Sequence, residues 1–131
     1  MLRFAEEIML LLLHDENGDF APVSELSLQC ALAGAVLMDL ALENRIDTDT
    51  ERLILLDKTP TGDDLLDPTL ANIAESTPVG ESSHDARYWV EYVAEYAYEI
   101  RARALDRLIE AGILQQRDDR FLWVFLSLIH I

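Results

Sequence analysis

The segment from Leu26 to Glu43 constrains the fold most, because it has the length of a helix and is apolar nearly all round until Asp39. Ser24, followed by Glu25, has the residue types of a helix N-cap. A helix without a polar face has to be covered on most sides by other elements. We therefore expect a mainly α fold, built as a helical bundle around this central apolar helix.

Small residues cluster inside the same segment. Five of them lie within six positions: Cys30, Ala31, Ala33, Gly34 and Ala35. So little side-chain bulk predicts close approach of a neighbouring helix. Cys30 is the only cysteine of the chain, so it cannot form an intrachain disulfide and is interpreted as a small buried hydrophobe in a reducing cytoplasm.

Further elements follow from periodicity and turn residues. Helices are predicted over Ala5 to His14, from Asp67-Pro68 onward, and from Ala86 to Ala111, where apolar residues recur every three or four positions. Asn17-Gly18 and the stretch from Thr77 to Asp85 predict a turn and a loop. Two short β-hairpins are predicted, one pairing Arg45 to Thr48 with Leu53 to Asp57, the other pairing Ile113-Leu114 with Phe121 to Phe125. Asn44 is expected to end the central helix in the left-handed region.

Three aspartates lie at two predicted helix starts, one fed by the turn from Thr59 to Asp64 and a second at Asp67-Pro68. Thr61 and Asp64 have the spacing of a capping box, and Asp63, Asp64 and Asp67 lie where helix N-termini favour negative charge. These carboxylates could also surround a hard cation. We prefer the capping interpretation, which implies no metal.

The sequence contains no arrangement of residues that is typical of a catalytic site. His14-Asp15 and His84-Asp85 are His-Asp pairs of a kind that ligates metals in some phosphohydrolases, but the third histidine, His130, lies at the very end of the chain. The cysteine and the serines lack a strand-turn-helix setting for a nucleophile. Adjacent Glu6 and Glu7 do not face each other on a helix. We therefore predict a non-enzymatic protein without metal or cofactor.

The charge of the chain limits the classes of partner that it can bind. The formal net charge of −15 disfavours nucleic acid, whose binding depends on basic side chains. The basic residues are nevertheless concentrated, since residues 101 to 120 contain five arginines against four acidic residues. Arg101, Arg103 and Arg107 form a local basic cluster suited to phosphate contact. The alternative is pairing with three acidic neighbours on a solvated helix face, namely Glu99, Asp106 and Glu110.

Two further predictions concern membrane-targeting segments and the end of the chain. The uninterrupted apolar stretches fall short of the roughly 20 residues that span a bilayer, so neither a transmembrane helix nor a signal peptide is expected. The last six residues, 126–131, back-translate without a mismatch to a transposase mosaic-end adaptor used in sequencing libraries. We interpret them as a non-native tail, and expect the natural protein to continue beyond Phe125.

Four segments, taken in order, resemble the Golgi phosphoprotein three family. They are the Glu6-Glu7-Ile8 to Leu13 opening, the Ala33-Gly34-Ala35 to Leu42 helix, the Asp57-Lys58-Thr59-Pro60-Thr61-Gly62-Asp63-Asp64-Leu65-Leu66-Asp67 segment, and Arg101 to Leu114. The Pro-Thr-Gly-Asp turn followed by Leu-Leu-Asp is the most specific of them. The resemblance covers residues 2 to 125, so we assign residues 1–125 to the N-terminal part of such a domain.

The resemblance implies a helical fold and a cytoplasmic peripheral membrane protein. Eukaryotic members bind phosphatidylinositol 4-phosphate on Golgi membranes and link the cytoplasmic tails of enzymes to a vesicle coat. The tryptophan of that lipid site aligns with Ser24, one basic position aligns with Ala33, and two arginines align with Tyr98 and Arg101. Only Arg101 keeps the family's residue type, which is consistent with a bacterial member. A family hairpin linked to self-association would lie just beyond Phe125, so homo-oligomers are expected of the full-length protein.

The sequence and the resemblance together predict a non-enzymatic peripheral membrane or adaptor module. Its predicted partner is an anionic phospholipid headgroup, with Arg101 and Arg103 contacting the phosphate. The alternative is a protein-protein interaction scaffold that binds no lipid, which a net charge of −15 also suits because that charge repels an anionic membrane surface.

Overall fold

The computed structural model describes residues 2–13, 20, 22–49, 51–117 and 120–124. The described chain is mainly α, with two small antiparallel hairpins, as the sequence predicts. Its helices are α1 (Phe4–Leu12), α2 (Glu25–Leu42), α3 (Asp67–Ser76), α4 (Ala86–Ala94) and α5 (Ala97–Glu110). Its strands are β1 (Ile46–Thr48), β2 (Leu53–Leu55), β3 (Leu114–Arg117) and β4 (Arg120–Trp123).

The central helix is α2, as predicted. Ser24 caps it, because its hydroxyl accepts a hydrogen bond of 3.1 Å from the backbone N–H of Ser27. The helix packs against α1, α3, α4 and α5, and Leu32, Val36 and Leu40 are fully buried in the shared core. By length and composition alone α2 could cross a membrane. Its packing assigns it instead to the centre of the bundle.

Both predicted hairpins are present. Strand β1 pairs with β2, with Ile46 opposite Leu55, and β3 pairs with β4, with Leu114 opposite Trp123. Asn44 has φ of 60°, which confirms the predicted left-handed end of α2. The helix start at Asp67-Pro68 is also confirmed.

The single helix predicted from Ala86 to Ala111 is wrong, because the chain breaks into α4 and α5 at Glu95-Tyr96. The N–H of Tyr96 bonds to the carbonyl of Val93, three residues back, which tightens the last turn. The Tyr96 hydroxyl lies 3.0 Å from Thr69 Oγ1 in α3. We attribute the break to this tertiary anchor, since neither glycine nor proline marks the position.

The small residues of α2 are only partly covered. Ala33 and Ala35 are buried, whereas Ala31 is exposed, and a Cβ built on Gly34 would meet nothing within 4 Å. The close approach predicted for a neighbouring helix is therefore absent at Gly34 among the described residues. An open groove between α1 and α2 lies there instead.

Replacing Gly34 by alanine is expected to raise the free energy of unfolding by about 0.5–1 kcal/mol. Alanine restricts the unfolded chain and favours a helix interior, and no neighbour has to move. Urea denaturation followed by circular dichroism measures this difference. A loss of stability would show that the position tolerates no side chain.

Candidate functional site: the arginines of α5 and the Asp63 cluster

A partly buried ionic cluster joins four parts of the chain that are distant in sequence. Asp63, in the turn before α3, accepts a hydrogen bond of 2.8 Å from Arg3 Nε and another from Arg107 Nη1 in α5. The same Arg107 lies 3.4 Å from a carboxylate oxygen of Glu6, and Arg3 Nη1 donates to Glu43 at 2.7 Å. We call these five residues the Asp63 cluster.

The cluster also fixes the start of α1. The backbone N–H of Arg3 donates to Glu6 Oε1 at 3.0 Å, and the N–H of Phe4 donates to Asp39 Oδ2 of α2 at 2.8 Å. Two otherwise unpaired donors at the helix N-terminus are thereby satisfied, one of them by a carboxylate from another helix. Burial raises the pKa of Asp39 despite the opposing effect of the Phe4 N–H and Arg3.

The predicted capping box between Thr61 and Asp64 does not form. Asp67 accepts from the N–H and the hydroxyl of Thr61, and Asp63 accepts from the N–H of Leu65 at 2.8 Å. Asp64 is turned to the solvent, where it lies near Arg103 and Arg107. Helix α3 begins only at Asp67, so the turn is held by side chains that sequence spacing alone did not identify.

Asp63 is expected to make stability pH-dependent. Burial raises its pKa, but the hydrogen bonds from Arg107 and Arg3 outweigh burial and bring the pKa below its ordinary 3.8. A carboxyl group with a lowered folded pKa stabilises the fold above its unfolded pKa and loses that contribution as the pH falls through the folded value.

The free energy of unfolding should therefore fall as the pH is lowered below about 4. The pKa of Asp39 is raised, so its contribution to the free energy of unfolding changes with pH in the opposite direction. Urea titrations at several pH values, on wild type and Asp63→Asn, measure the contribution of Asp63. Equal acid sensitivity of the two proteins would contradict it.

The three arginines of α5 have different neighbours, and the phosphate contacts predicted for Arg101 and Arg103 stay a prediction. Arg103 lies 3.6 Å from the carboxylate of Asp64 and also contacts its carbonyl oxygen, while Arg107 belongs to the Asp63 cluster. The alternative, pairing with Glu99, Asp106 and Glu110 on the same helix, is wrong for Arg103 and Arg107. Their partners come from the turn before α3 and from α1.

Arg101 has different neighbours. Its guanidinium carbon lies 5.1 Å from the ring centroid of Phe20, which is a cation–π contact. Among the described residues, no carboxylate oxygen lies within ion-pairing distance of Arg101. The side chain borders an open cleft of about 320 Å³ between α5 and the β3–β4 hairpin. Its other lining residues are Tyr98, Ala102, Leu105, Asp106, Gln116 and Phe121.

The other positions that align with the family's lipid site do not supply a basic group here. Tyr98 is exposed and lines the same cleft as Arg101, Ser24 caps α2, and Ala33 is buried in the core. A basic side chain at the position of Ala33 would require a different core. The cleft therefore offers one cation together with aromatic and amide side chains.

Of the two His-Asp pairs, the structure describes His84-Asp85, and both of these side chains contact Tyr88. The ring of His84 stacks on Tyr88 with centroids 3.6 Å apart, and Asp85 caps α4 by accepting from the N–H of Tyr88. No group of three metal-ligating side chains occurs within the part of the chain that the structure describes. His14, Asp15 and His130 lie outside that part, as do Asn17-Gly18 and residues 125–131.

The chain matches a protein-family model. The model described as Golgi phosphoprotein 3 matches residues 4–128, which is nearly the whole chain. The match includes α1 to α5, both hairpins, the Asp63 cluster except Arg3, and the Arg101 cleft. The interpretation of residues 126–131 as a non-native tail stays a prediction.

Proposed function

Because this chain belongs to the Golgi phosphoprotein 3 family, we propose that it is a peripheral membrane module at the cytoplasmic face, which contacts the phosphate of an anionic phospholipid through Arg101. The family is a non-enzymatic lipid-binding and adaptor family. Membership supports a lipid-binding or adaptor role in general. The choice of Arg101 rests on the contacts of this chain.

The observation behind the proposal is the difference between Arg101 and the other two arginines of α5. Arg103 and Arg107 are already bound to carboxylates, so a phosphate would have to displace an existing partner. Arg101 lies instead over an aromatic ring and beside an open cleft. Guanidinium groups bind phosphate oxygens through paired N–H donors, and the Phe20 ring would leave those edges free.

The lining of the cleft supports a headgroup rather than a free inorganic anion. Tyr98 is largely exposed and Phe121 is partly buried, so two aromatic side chains with apolar bodies lie beside the cation. Tyrosine and other amphipathic aromatics favour the membrane interface, where one side is apolar and the other is wet. Asp106 weakens the positive potential of the cleft, so we expect affinity for headgroups to be modest.

Liposome flotation of the full chain tests the proposal. Neutral phosphatidylcholine vesicles are compared with vesicles that also contain phosphatidylglycerol or phosphatidylinositol 4-phosphate. We expect flotation only with anionic lipid, and Arg101→Ala should weaken it about ten- to a hundredfold, because a charge-assisted hydrogen bond contributes roughly 1.5–3 kcal/mol.

The matched control is Arg87→Ala, which removes the same charge from an exposed position on α4. Arg103→Ala tests the second predicted phosphate contact. If Arg101→Ala and Arg87→Ala reduced flotation equally, the effect would be due to net charge, and the cleft would not be the lipid-binding site. An absence of flotation with every lipid would favour the alternative function, a protein-binding scaffold.

A further inference from the structure

The Arg101 cleft also contains a carboxylate. Asp106 lines the cleft together with Arg101 and is exposed. Among the described residues, no lysine or arginine lies within ion-pairing distance of Asp106. A carboxylate beside a phosphate site weakens the binding of a headgroup that is only anionic. Asp106 therefore either opposes the ligand or contacts a positive group of it.

The two opposite charges are separated along the cleft. Arg101 and Asp106 are five residues apart in α5, which at about 1.5 Å per residue places their Cα atoms roughly 7.5 Å apart along the helix axis. Ala102 and Leu105, which come between them in the sequence, also line the cleft. The surface between the charges is thus apolar. A ligand that contacts both charges needs a negative group and a positive group joined by a short carbon chain.

The aromatic side chains of the cleft also suit a positive group. The Phe121 ring lies 5.7 Å from the ring of Phe20, over which Arg101 is placed. Tyr98 is exposed and lines the same cleft. The faces of aromatic rings attract cations, including the ammonium groups of ligands. Tyr98 and Phe121 therefore add to the attraction that Asp106 exerts on an ammonium group.

We propose that the cleft binds the phosphoserine headgroup of phosphatidylserine, with the phosphate on Arg101 and the ammonium group on Asp106. This inference rests on the proposed function, because it keeps Arg101 as the phosphate contact and a net anionic lipid as the ligand. The serine carboxylate accepts from the side-chain amide of Gln116, which is exposed and lines the cleft. Each charged group of the headgroup then has a partner of suitable chemistry.

Other headgroups fit the cleft less well. A phosphorylated inositol carries a second phosphate, but among the described residues Arg101 is the only basic side chain that lines the cleft, and Asp106 repels that phosphate. Phosphatidylglycerol offers no cation to Asp106, and phosphatidylethanolamine offers no carboxylate to Gln116. The volume of about 320 Å³ suits a single small headgroup, since ligand sites measure about 300–1,000 Å³.

Flotation of the full chain on vesicles of equal surface charge tests the proposal. Phosphatidylserine and phosphatidylglycerol have the same net charge, so phosphatidylcholine vesicles with equal mole fractions of either lipid differ only in headgroup chemistry. We expect phosphatidylserine vesicles to bind about tenfold more tightly, because only they offer Asp106 a charge-assisted contact. Phosphatidylethanolamine should bind too weakly to float the protein, because it lacks the carboxylate that Gln116 contacts.

The variant Asp106→Asn locates the ammonium contact. It removes the charge with little change of shape, so it should weaken binding to phosphatidylserine about tenfold and strengthen binding to phosphatidylglycerol, whose phosphate the carboxylate repels. A folding defect would weaken both, so the opposite directions identify recognition of the headgroup. Glu110→Gln is the matched control, because it removes the same charge from an exposed position of α5 outside the cleft. It should change binding to the two lipids equally.

Free O-phospho-L-serine distinguishes a lipid ligand from a soluble one. Isothermal titration calorimetry measures its binding in the absence of vesicles. We expect it to bind at least about tenfold more weakly than phosphatidylserine vesicles, because the aromatic side chains of the cleft contact the membrane interface only when a bilayer is present. It should still displace the protein from those vesicles, and glycerol 3-phosphate at the same concentration should displace less.

Four results would overturn the proposal. Equal flotation with phosphatidylserine and phosphatidylglycerol, both weakened by Arg101→Ala, would reject the serine headgroup and keep the proposed function. Flotation with phosphatidylethanolamine as strong as with phosphatidylserine would show that the carboxylate is not recognised. An unchanged preference for phosphatidylserine in Asp106→Asn would place the ammonium group elsewhere. Free O-phospho-L-serine that binds as tightly as the vesicles would identify a soluble ligand. No flotation with any lipid would reject the proposed function together with this inference.

Discussion

The variant Asp63→Asn is expected to lose about 3 kcal/mol of unfolding free energy, which corresponds to a melting temperature roughly 10 °C lower. Asparagine is nearly isosteric but neutral, so Arg3 and Arg107 would lose their shared counter-ion in a largely buried setting. Removing one partner of a buried ion pair typically costs 3–5 kcal/mol. The two arginine side chains are about a quarter exposed, and Arg3 keeps Glu43 and Arg107 keeps Glu6 as a partner, which favours the lower end of that range.

Asp64→Asn is the matched control for this experiment. The side chain of Asp64 is 61% exposed, against 10% for Asp63, although both carboxylates contact Arg107. An exposed ion pair contributes about 0–1 kcal/mol, so this variant should melt within a few degrees of wild type. Thermal denaturation by differential scanning calorimetry measures both. If the two variants were equally stable, burial would not be what makes Asp63 important.

Trp89→Ala should cost about 4 kcal/mol, because the indole is the largest side chain that α4 buries in the core. Trp89 is 2% exposed, and α4 packs on the central helix α2. Truncation to alanine removes most of the buried apolar area and leaves a cavity that a bundle closes only in part. Chemical denaturation, with the slope against denaturant unchanged, measures the loss.

Two further substitutions separate packing from hydrogen bonding at this position. The Trp89 indole N–H has no hydrogen-bond partner among the described residues, so Trp89→Phe should lose only about 1–2 kcal/mol, from volume. Tyr88→Ala, at an exposed neighbour that stacks on His84, should cost about 1 kcal/mol or less. A Trp89→Phe variant as unstable as Trp89→Ala would indicate that the indole N–H contributes stability after all.

The Arg101 region could be predicted from sequence only in part. The concentration of arginines in residues 101–120 and the family resemblance both pointed to Arg101 and Arg103. That Arg103 contacts a carboxylate outside its own helix could not be predicted, because the partner is Asp64, 39 residues before Arg103. Helical spacing suggested acidic neighbours on the same helix, whereas the actual partners come from the turn before α3.

The Asp63 cluster could be predicted from the sequence even less well than the Arg101 region. Asp63 and Arg107 are 44 residues apart, and Arg3 is 60 residues from Asp63. The nearby helix start is a sound local reason for the negative charge of the 61–67 turn. The sequence contained no local signal that this charge would be buried between α1 and α5, because long-range pairing depends on how the helices pack.

The features that could be predicted from the sequence are local: the central helix with its Ser24 cap, the left-handed stop at Asn44, the start of α3 at Asp67, and the two hairpins. Each depends on side-chain chemistry within a few residues or on a simple apolar period. Tertiary contacts determine where the helix after Ala86 breaks and, within the described residues, which arginine of α5 has no carboxylate beside it and which face of α2 is open. These features depend on contacts between distant segments, and local propensity carries no information about them.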